Sequence, residues 1–218
     1  MSRKTQTKSF GSVVRQSHNS KKFYSSKLFE EFELPKNIEY LGNRIPEGGL
    51  NKFYCKSSEV MDEIPDISIH LMVTSPPYNV GKEYDSDLTL DEYLSLLTAV
   101  FGEVYRKLVT GGRACINVAN IGRKPYITLH AMVIEIMLDL GFLMRGEIIW
   151  DKSASGGGSC AWGSWMSASN PVLRDYHEYI LVFSKDSYSK DKNQIKKDTI
   201  ERDDFIEWTR SVWTFPAV

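Results

Sequence analysis

Cysteine is scarce in this 218-residue chain: Cys55, Cys115 and Cys160 form an odd, widely spaced set. No Cys-x-x-Cys occurs, and none of the four histidines stands at ligand spacing from a cysteine. A disulfide framework and a metal centre such as zinc are both unexpected, and free thiols fit a reducing, cytoplasmic setting. No apolar run approaches the roughly 18–20 residues that span a bilayer. The basic N-terminus lacks the apolar segment of a signal peptide, so no membrane partner is expected. There is no internal repeat. The formal net charge is -1, which rules out a polycation acting through bulk charge. No Gly-x-Ser-x-Gly surrounds any serine, which argues against a nucleophile elbow. The Gly156-Gly157-Gly158-Ser159 run has neither the lysine nor the spacing of a phosphate loop and reads as a flexible loop.

What is present is 42% hydrophobic residues, enough for one α/β domain or two small ones. Charge is unevenly placed. Residues 1–29 carry seven Lys or Arg and no acid, a composition that reads as a mobile basic tail, either a phosphate-contacting arm or a solvated leader. The spacing predicts a short strand over 53–55 and a short helix over 57–64. An apolar strand follows over 67–75. Thr89 caps a helix running to about Leu108, with Leu94, Leu97, Phe101 and Val104 in register. Gly111-Gly112 read as a turn, followed by a strand over 113–119 and a helix over 127–140 ended by Gly141. Strands over 143–150 and 176–184 have no helix between them and form an antiparallel edge hairpin. Residues 185–204 are strongly charged and read as a surface insertion. Alternating strands and helices argue for an α/β fold with a parallel sheet.

The 67–75 strand ends in Thr74-Ser75-Pro76-Pro77-Tyr78. An exocyclic amine on a nucleic-acid base is a poor nucleophile, because its lone pair is delocalised into the ring. Acceptors for its two N–H groups draw the nitrogen towards tetrahedral geometry and free that pair. The Ser75 hydroxyl and the Pro76 carbonyl are suited to this, since two successive prolines fix the backbone. Tyr78 offers a flat face to a base taken out of the duplex. The rest of the catalysis is proximity to an electrophilic methyl group. The competing reading, a polyproline ligand for an aromatic groove, is disfavoured by the buried strand directly before the motif.

In these residues the chain resembles the DNA amino-methyltransferases that use S-adenosylmethionine. Residues 74–85, 111–120, 141–152, 161–184 and 207–217 resemble consecutive blocks of that family, and together cover most of 51–217. The resemblance implies a Rossmann-like methyltransferase sheet over 30–218, a DNA partner, and Ser75, Pro76, Pro77 and Tyr78 as catalytic residues. A serine first in the motif implies cytosine N4 as the target rather than adenine N6. Trp162 and Trp165 resemble a loop near the target base, as stacking or core aromatics. Arg174 is either a phosphate ligand or one member of an Arg174–Asp175 surface pair. His177 reads as a structural histidine. On the cofactor side the resemblance points to Ser57, Thr74 and Ser75, with Ser57 standing where many relatives have an acid.

The same resemblance exposes a gap. Relatives with the catalytic motif early carry an Asp-Pro-Phe-x-Gly-x-Gly-like cofactor loop late, and nothing here matches it. Residues 30–218 therefore read as the catalytic half of an incomplete sheet, whose 67–75 strand presents an unpaired apolar edge. A complementing chain with the cofactor half is the expected partner, with a homo-oligomer as the other arrangement. The alternative function is a truncated, non-catalytic DNA-binding remnant. Both predict DNA binding that weakens with salt; only the first predicts that a partner restores methylation.

Overall fold

The computed structural model describes residues 24–30, 37–83, 87–155, 165–166, 169–191 and 199–217. The chain divides into two compact units, 1–37 and 38–218. In the first, Lys27–Phe29 form a 3-10 turn; residues 1–23 of the basic tail lie outside the described residues. The second unit contains everything that follows.

Among the described residues, seven strands, β1 (Ile69–Thr74), β2 (Leu108–Val118), β3 (Ile121–Gly122), β4 (Tyr126–Ile127), β5 (Phe142–Asp151), β6 (His177–Lys185) and β7 (Val212–Thr214), are interspersed with three α-helices, α1 (Leu90–Lys107), α2 (Leu129–Asp139) and α3 (Arg202–Trp208). The main sheet has the order β1-β2-β6-β5-β7, and β3 and β4 form a separate two-stranded ribbon. β1 runs parallel to β2 and β5 parallel to β7, while β6 is antiparallel to both its neighbours. Four of the five strands thus point one way. The antiparallel pair β5–β6 forms as expected, and β7 adds outside it.

Helix α1 begins where the sequence says it should. Thr89 Oγ1 accepts from the Glu92 backbone N–H (3.3 Å), and Glu92 Oε2 accepts from the Thr89 N–H (2.8 Å), a complete capping box. Tyr93, Leu97, Phe101 and Val104 form its buried stripe. They meet Leu129, Val133 and Met137 of α2 and the residues of β2 and β6 that point the same way: Ala114, Ile116, Val118, Leu181 and Phe183. Both long helices therefore cover one face of the sheet.

The opposite face differs. The pairings Leu71↔Arg113, Val73↔Cys115, Cys115↔Val182 and Asn117↔Ile180 place these side chains together, and no long helix covers them among the described residues. Among the described residues β1 has a strand on one side only, as expected for an incomplete sheet. Its Leu71 and Val73 are 56% and 70% exposed.

The way into β1 is tightly held. Lys107, whose side chain is 4% exposed, donates to the Ile64 carbonyl (2.6 Å) and Asp66 (2.8 Å). Arg106 bonds both Asp66 and Glu103 at 2.6 Å. Backbone bonds from Ile67 to Arg106 and from Ser68 to Lys107 complete the clamp. It holds Ile67 at φ 52°, a left-handed conformation that β-branched residues rarely adopt.

Four expectations are corrected. Residues 53–55 form no strand, and Phe53 is 96% exposed; without a neighbouring ladder, apolar composition does not make a strand. Residues 57–64 are a series of turns rather than a helix. Gly111-Gly112 lie inside β2, because its pairing with β1 begins at Ile69↔Leu108 and resumes at Leu71↔Arg113. Four residues of β2 bulge opposite one of β1, and Gly111 takes φ 77° there. Of the 185–204 segment, Lys185 and Ser187 are buried rather than on the surface, residues 202–204 open α3, and 192–198 lie outside the described residues.

Candidate active site

The carboxyl ends of β1, β2 and β5 and the amino end of antiparallel β6 meet at one edge of the sheet. In α/β sheets such an edge is where ligands bind. Ser75 to Tyr78 leave β1 there, and three contacts fix the corner. Pro76 is buried. The Tyr93 hydroxyl, from the first turn of α1, donates to the Pro77 carbonyl (2.7 Å). Asn79, at φ 52°, grips both backbone groups of Leu88 through its amide, donating to the carbonyl and accepting from the N–H (3.1 Å). The capped helix α1 is thus the anvil on which the motif is bent. No hydrogen bond to the Pro76 carbonyl forms among the described residues, and Ser75 is exposed.

Tyr78 is half-buried against the hydrophobic core. Its hydroxyl lies 3.4 Å from Ser75 Oγ and donates to Glu178 Oε2 at 3.4 Å. Glu178 also accepts from Asn117 Nδ2 (2.6 Å) and from the Lys152 ammonium. Lys152 is held in turn by its backbone bond to the Tyr176 carbonyl (2.7 Å) and stands 5.5 Å from the centre of the Trp150 ring. Burial alone would raise the Glu178 carboxyl. The hydrogen bonds from Lys152 and Asn117 outweigh it, and the net shift is downward, so Glu178 is ionised at neutral pH. Tyr78 moves the other way, pushed up by burial and by the Glu178 charge against the opposing hydrogen bond from Ser75. It remains a phenol.

Asn117, Lys152 and Glu178 were not singled out from the sequence. The signal was there, in a polar residue of each apolar run forming β2 and β6 and a lysine directly after β5. Nothing in a linear reading joins positions 117, 152 and 178.

The remaining expected site residues divide. Thr74 closes β1, opposite Ile116. Ser57 is exposed and turned to its own loop, donating to Glu59 Oε2 (2.7 Å) and accepting from the Glu59 N–H (3.3 Å). Trp165 is 75% exposed, while Trp162 lies outside the described residues. Arg174 lies over the Tyr176 ring at 5.5 Å, and Asp175 pairs with Arg123 at 2.8 Å rather than with Arg174. His177 Nε2 bonds the Tyr179 hydroxyl at 3.1 Å, as suits a structural histidine. Near the end of β7 the Trp150 and Phe215 rings stack at 4.9 Å on the same edge of the sheet.

Comparison with known proteins bears on this edge. The chain is 37% identical over 159 residues to the type II methyltransferase M.MjaVI of Methanocaldococcus jannaschii, a match covering 71% of this chain and 80% of that protein. It covers less of two further type II methyltransferases, 54% and 62% of their lengths. TTHA0409 of Thermus thermophilus, provisionally classed as a DNA modification methylase, is 30% identical with a TM-score of 0.58 over 74% of this chain and 65% of that one. The same protein has been solved with S-adenosyl-L-methionine. The PvuII DNA methyltransferase, at 17% identity and a TM-score of 0.55, shares the fold. A family model described as DNA methylase, of the N6/N4 type, matches residues 69–218, which include the whole corner and all three of its partners at 117, 152 and 178; the chain belongs to the DNA methylase family.

Proposed function

We propose that this chain is the catalytic half of a site-specific DNA methyltransferase that modifies the exocyclic N4 amine of a cytosine taken out of the duplex, with S-adenosylmethionine as methyl donor. The observation that carries this reading is the corner at the end of β1. There an exposed Ser75 hydroxyl adjoins a Pro76 carbonyl that no other group bonds among the described residues, on a backbone locked by Tyr93 and Asn79. The two oxygens accept from the amine and free its lone pair; the half-buried Tyr78 limits where the base can lie. Cytosine is preferred to adenine because serine stands first in the motif.

The donor supplies an electrophilic methyl group when bound, and the described residues fit it only in part. Thr74 and Ser75 lie at the end of β1, whereas the Ser57 hydroxyl is committed to Glu59. The rest of the donor site is assigned to a cofactor-binding segment outside this sequence, carried by a complementing chain. The exposed Leu71 and Val73 on the one-sided strand β1 support this, because an unpaired apolar edge recruits a strand.

Two measurements test the reading. In calorimetry, this chain alone binds S-adenosylmethionine weakly and the completed assembly binds it well; tight binding by the chain alone removes the case for a complement. In the completed assembly Ser75→Ala lowers methyl transfer by about a hundredfold, the scale set by losing one oriented hydrogen-bonding group at a reacting centre. Unchanged transfer contradicts the assignment.

A further inference from the structure

We infer that Glu178, held by Lys152 and Asn117, is a positioning residue that sets the direction of the hydrogen bonds running from Tyr78 to Ser75 and so keeps the Ser75 hydroxyl oxygen available as an acceptor. This rests on the reading of the Ser75 corner as the amine-binding site.

A serine hydroxyl can donate or accept. For an amine N–H the two states are opposite in effect, since only a hydroxyl whose hydrogen points elsewhere offers its lone pairs. Nothing within the corner itself makes that choice. The Ser75–Tyr78 contact at 3.4 Å works in either direction. Glu178 decides it. An ionised carboxylate only accepts, so Tyr78 must donate to it (3.4 Å). With its hydrogen committed to Glu178, the phenol oxygen accepts from Ser75. The Ser75 hydrogen then points away from the substrate.

The far side of Glu178 is built to keep it an acceptor. Lys152, with three donors and no acceptor, takes Oε1; Asn117 Nδ2 takes Oε2 at 2.6 Å. The choice of the Asn117 amide orientation is legible in what it leaves behind. Asn117 Oδ1 is buried and has no hydrogen-bond partner among the described residues, a destabilising arrangement that persists because the carboxylate requires the NH2 end. Glu178 and Lys152 side chains are 15% and 26% exposed, so water competes weakly for these bonds.

Glu178→Gln tests the inference with almost no change in shape. Lys152 keeps the glutamine carbonyl on its own side, which turns the glutamine NH2 towards Asn117 and Tyr78. Asn117 then reverses its amide and satisfies Oδ1. Tyr78 now accepts instead of donating, and its hydrogen turns to Ser75. Methyl transfer from S-adenosylmethionine to DNA is measured in the completed assembly for the wild type, E178Q, Y78F and the double variant. E178Q lowers kcat about tenfold with KM for DNA unchanged, and adds little once Tyr78 is already phenylalanine, as expected when one residue acts through the other. An unchanged kcat in E178Q, or a loss equally large in the Y78F background, overturns the inference.

A second readout needs no activity. In the chain alone, NMR of ring-labelled tyrosine, with Tyr78 identified by its loss in Y78F, follows the phenol titration. E178Q moves the Tyr78 midpoint down, because a charge that opposes its ionisation is gone; an unmoved midpoint overturns the inference. If Ser75→Ala methylates DNA as well as the wild type, the fault lies in the methyltransferase reading, and the titration still tests whether Glu178 acts on the Tyr78 phenol.

Discussion

The two faces of the main sheet are built from similar residues and finish differently. On one, Ile116, Val118, Leu181 and Phe183 are sealed beneath α1 and α2, with no measurable exposure. On the other, Val73 of β1 is 70% exposed, in line with Cys115 and Val182. The first face is a finished core. The second has apolar content, a free strand edge and no long helix among the described residues. The Ser75 corner lies at the end of the strand where the two conditions meet. Stability therefore resides in one layer, and the proposed completion of the enzyme in the other.

That contrast can be broken first at the sealed face. Phe101 is 1% exposed at the centre of the α1 stripe, and Phe101→Ala should remove about 3–5 kcal/mol of stability in urea unfolding. A loss below about 1 kcal/mol would mean that the core does not hold the fold. The next effect belongs to the site between the faces. Lys152→Met leaves Glu178 without its ammonium and should destabilise the chain by about 2 kcal/mol at neutral pH, the scale of a charge-assisted hydrogen bond. The folded Glu178 carboxyl titrates below its ordinary value. Its contribution is therefore whole above the unfolded carboxyl's pKa, about 4.3, and is lost as pH falls through the depressed folded value. The gap between wild type and Lys152→Met should close on acidification; a gap independent of pH would assign the loss to packing. The smallest effect on folding is expected at the open face. Val73→Thr should change stability by less than about 0.5 kcal/mol while weakening association with the proposed complementing chain in sedimentation. A large loss of stability without change in association would show that this face is already complete.

The parts of the molecule that chain-local chemistry determines were legible in the sequence. Helix α1 is announced by Thr89 and Glu92, the end of α2 by Gly141, and β1 by an apolar run broken by two prolines. The inward set of β6, Tyr179, Leu181 and Phe183, follows from alternation alone. What pairing determines was not legible. Gly111-Gly112 have the composition of a turn, and only the register of β1 against β2 makes them a bulge. Phe53 to Cys55 have the composition of a strand and find no ladder. The site divides in the same way. Ser75 to Tyr78 are contiguous and carry their chemistry openly. The Asn117–Lys152–Glu178 cluster is assembled from three separate stretches of chain, and each of its members alone reads as an ordinary polar residue.

The most direct test is mass spectrometry of nucleosides from DNA treated with this chain, the proposed complementing chain and S-adenosylmethionine, in parallel with Ser75→Ala. The account predicts N4-methylcytosine in the wild-type digest and almost none with Ser75→Ala. Methylation at equal levels in both digests, or methyladenine without methylcytosine, would contradict it.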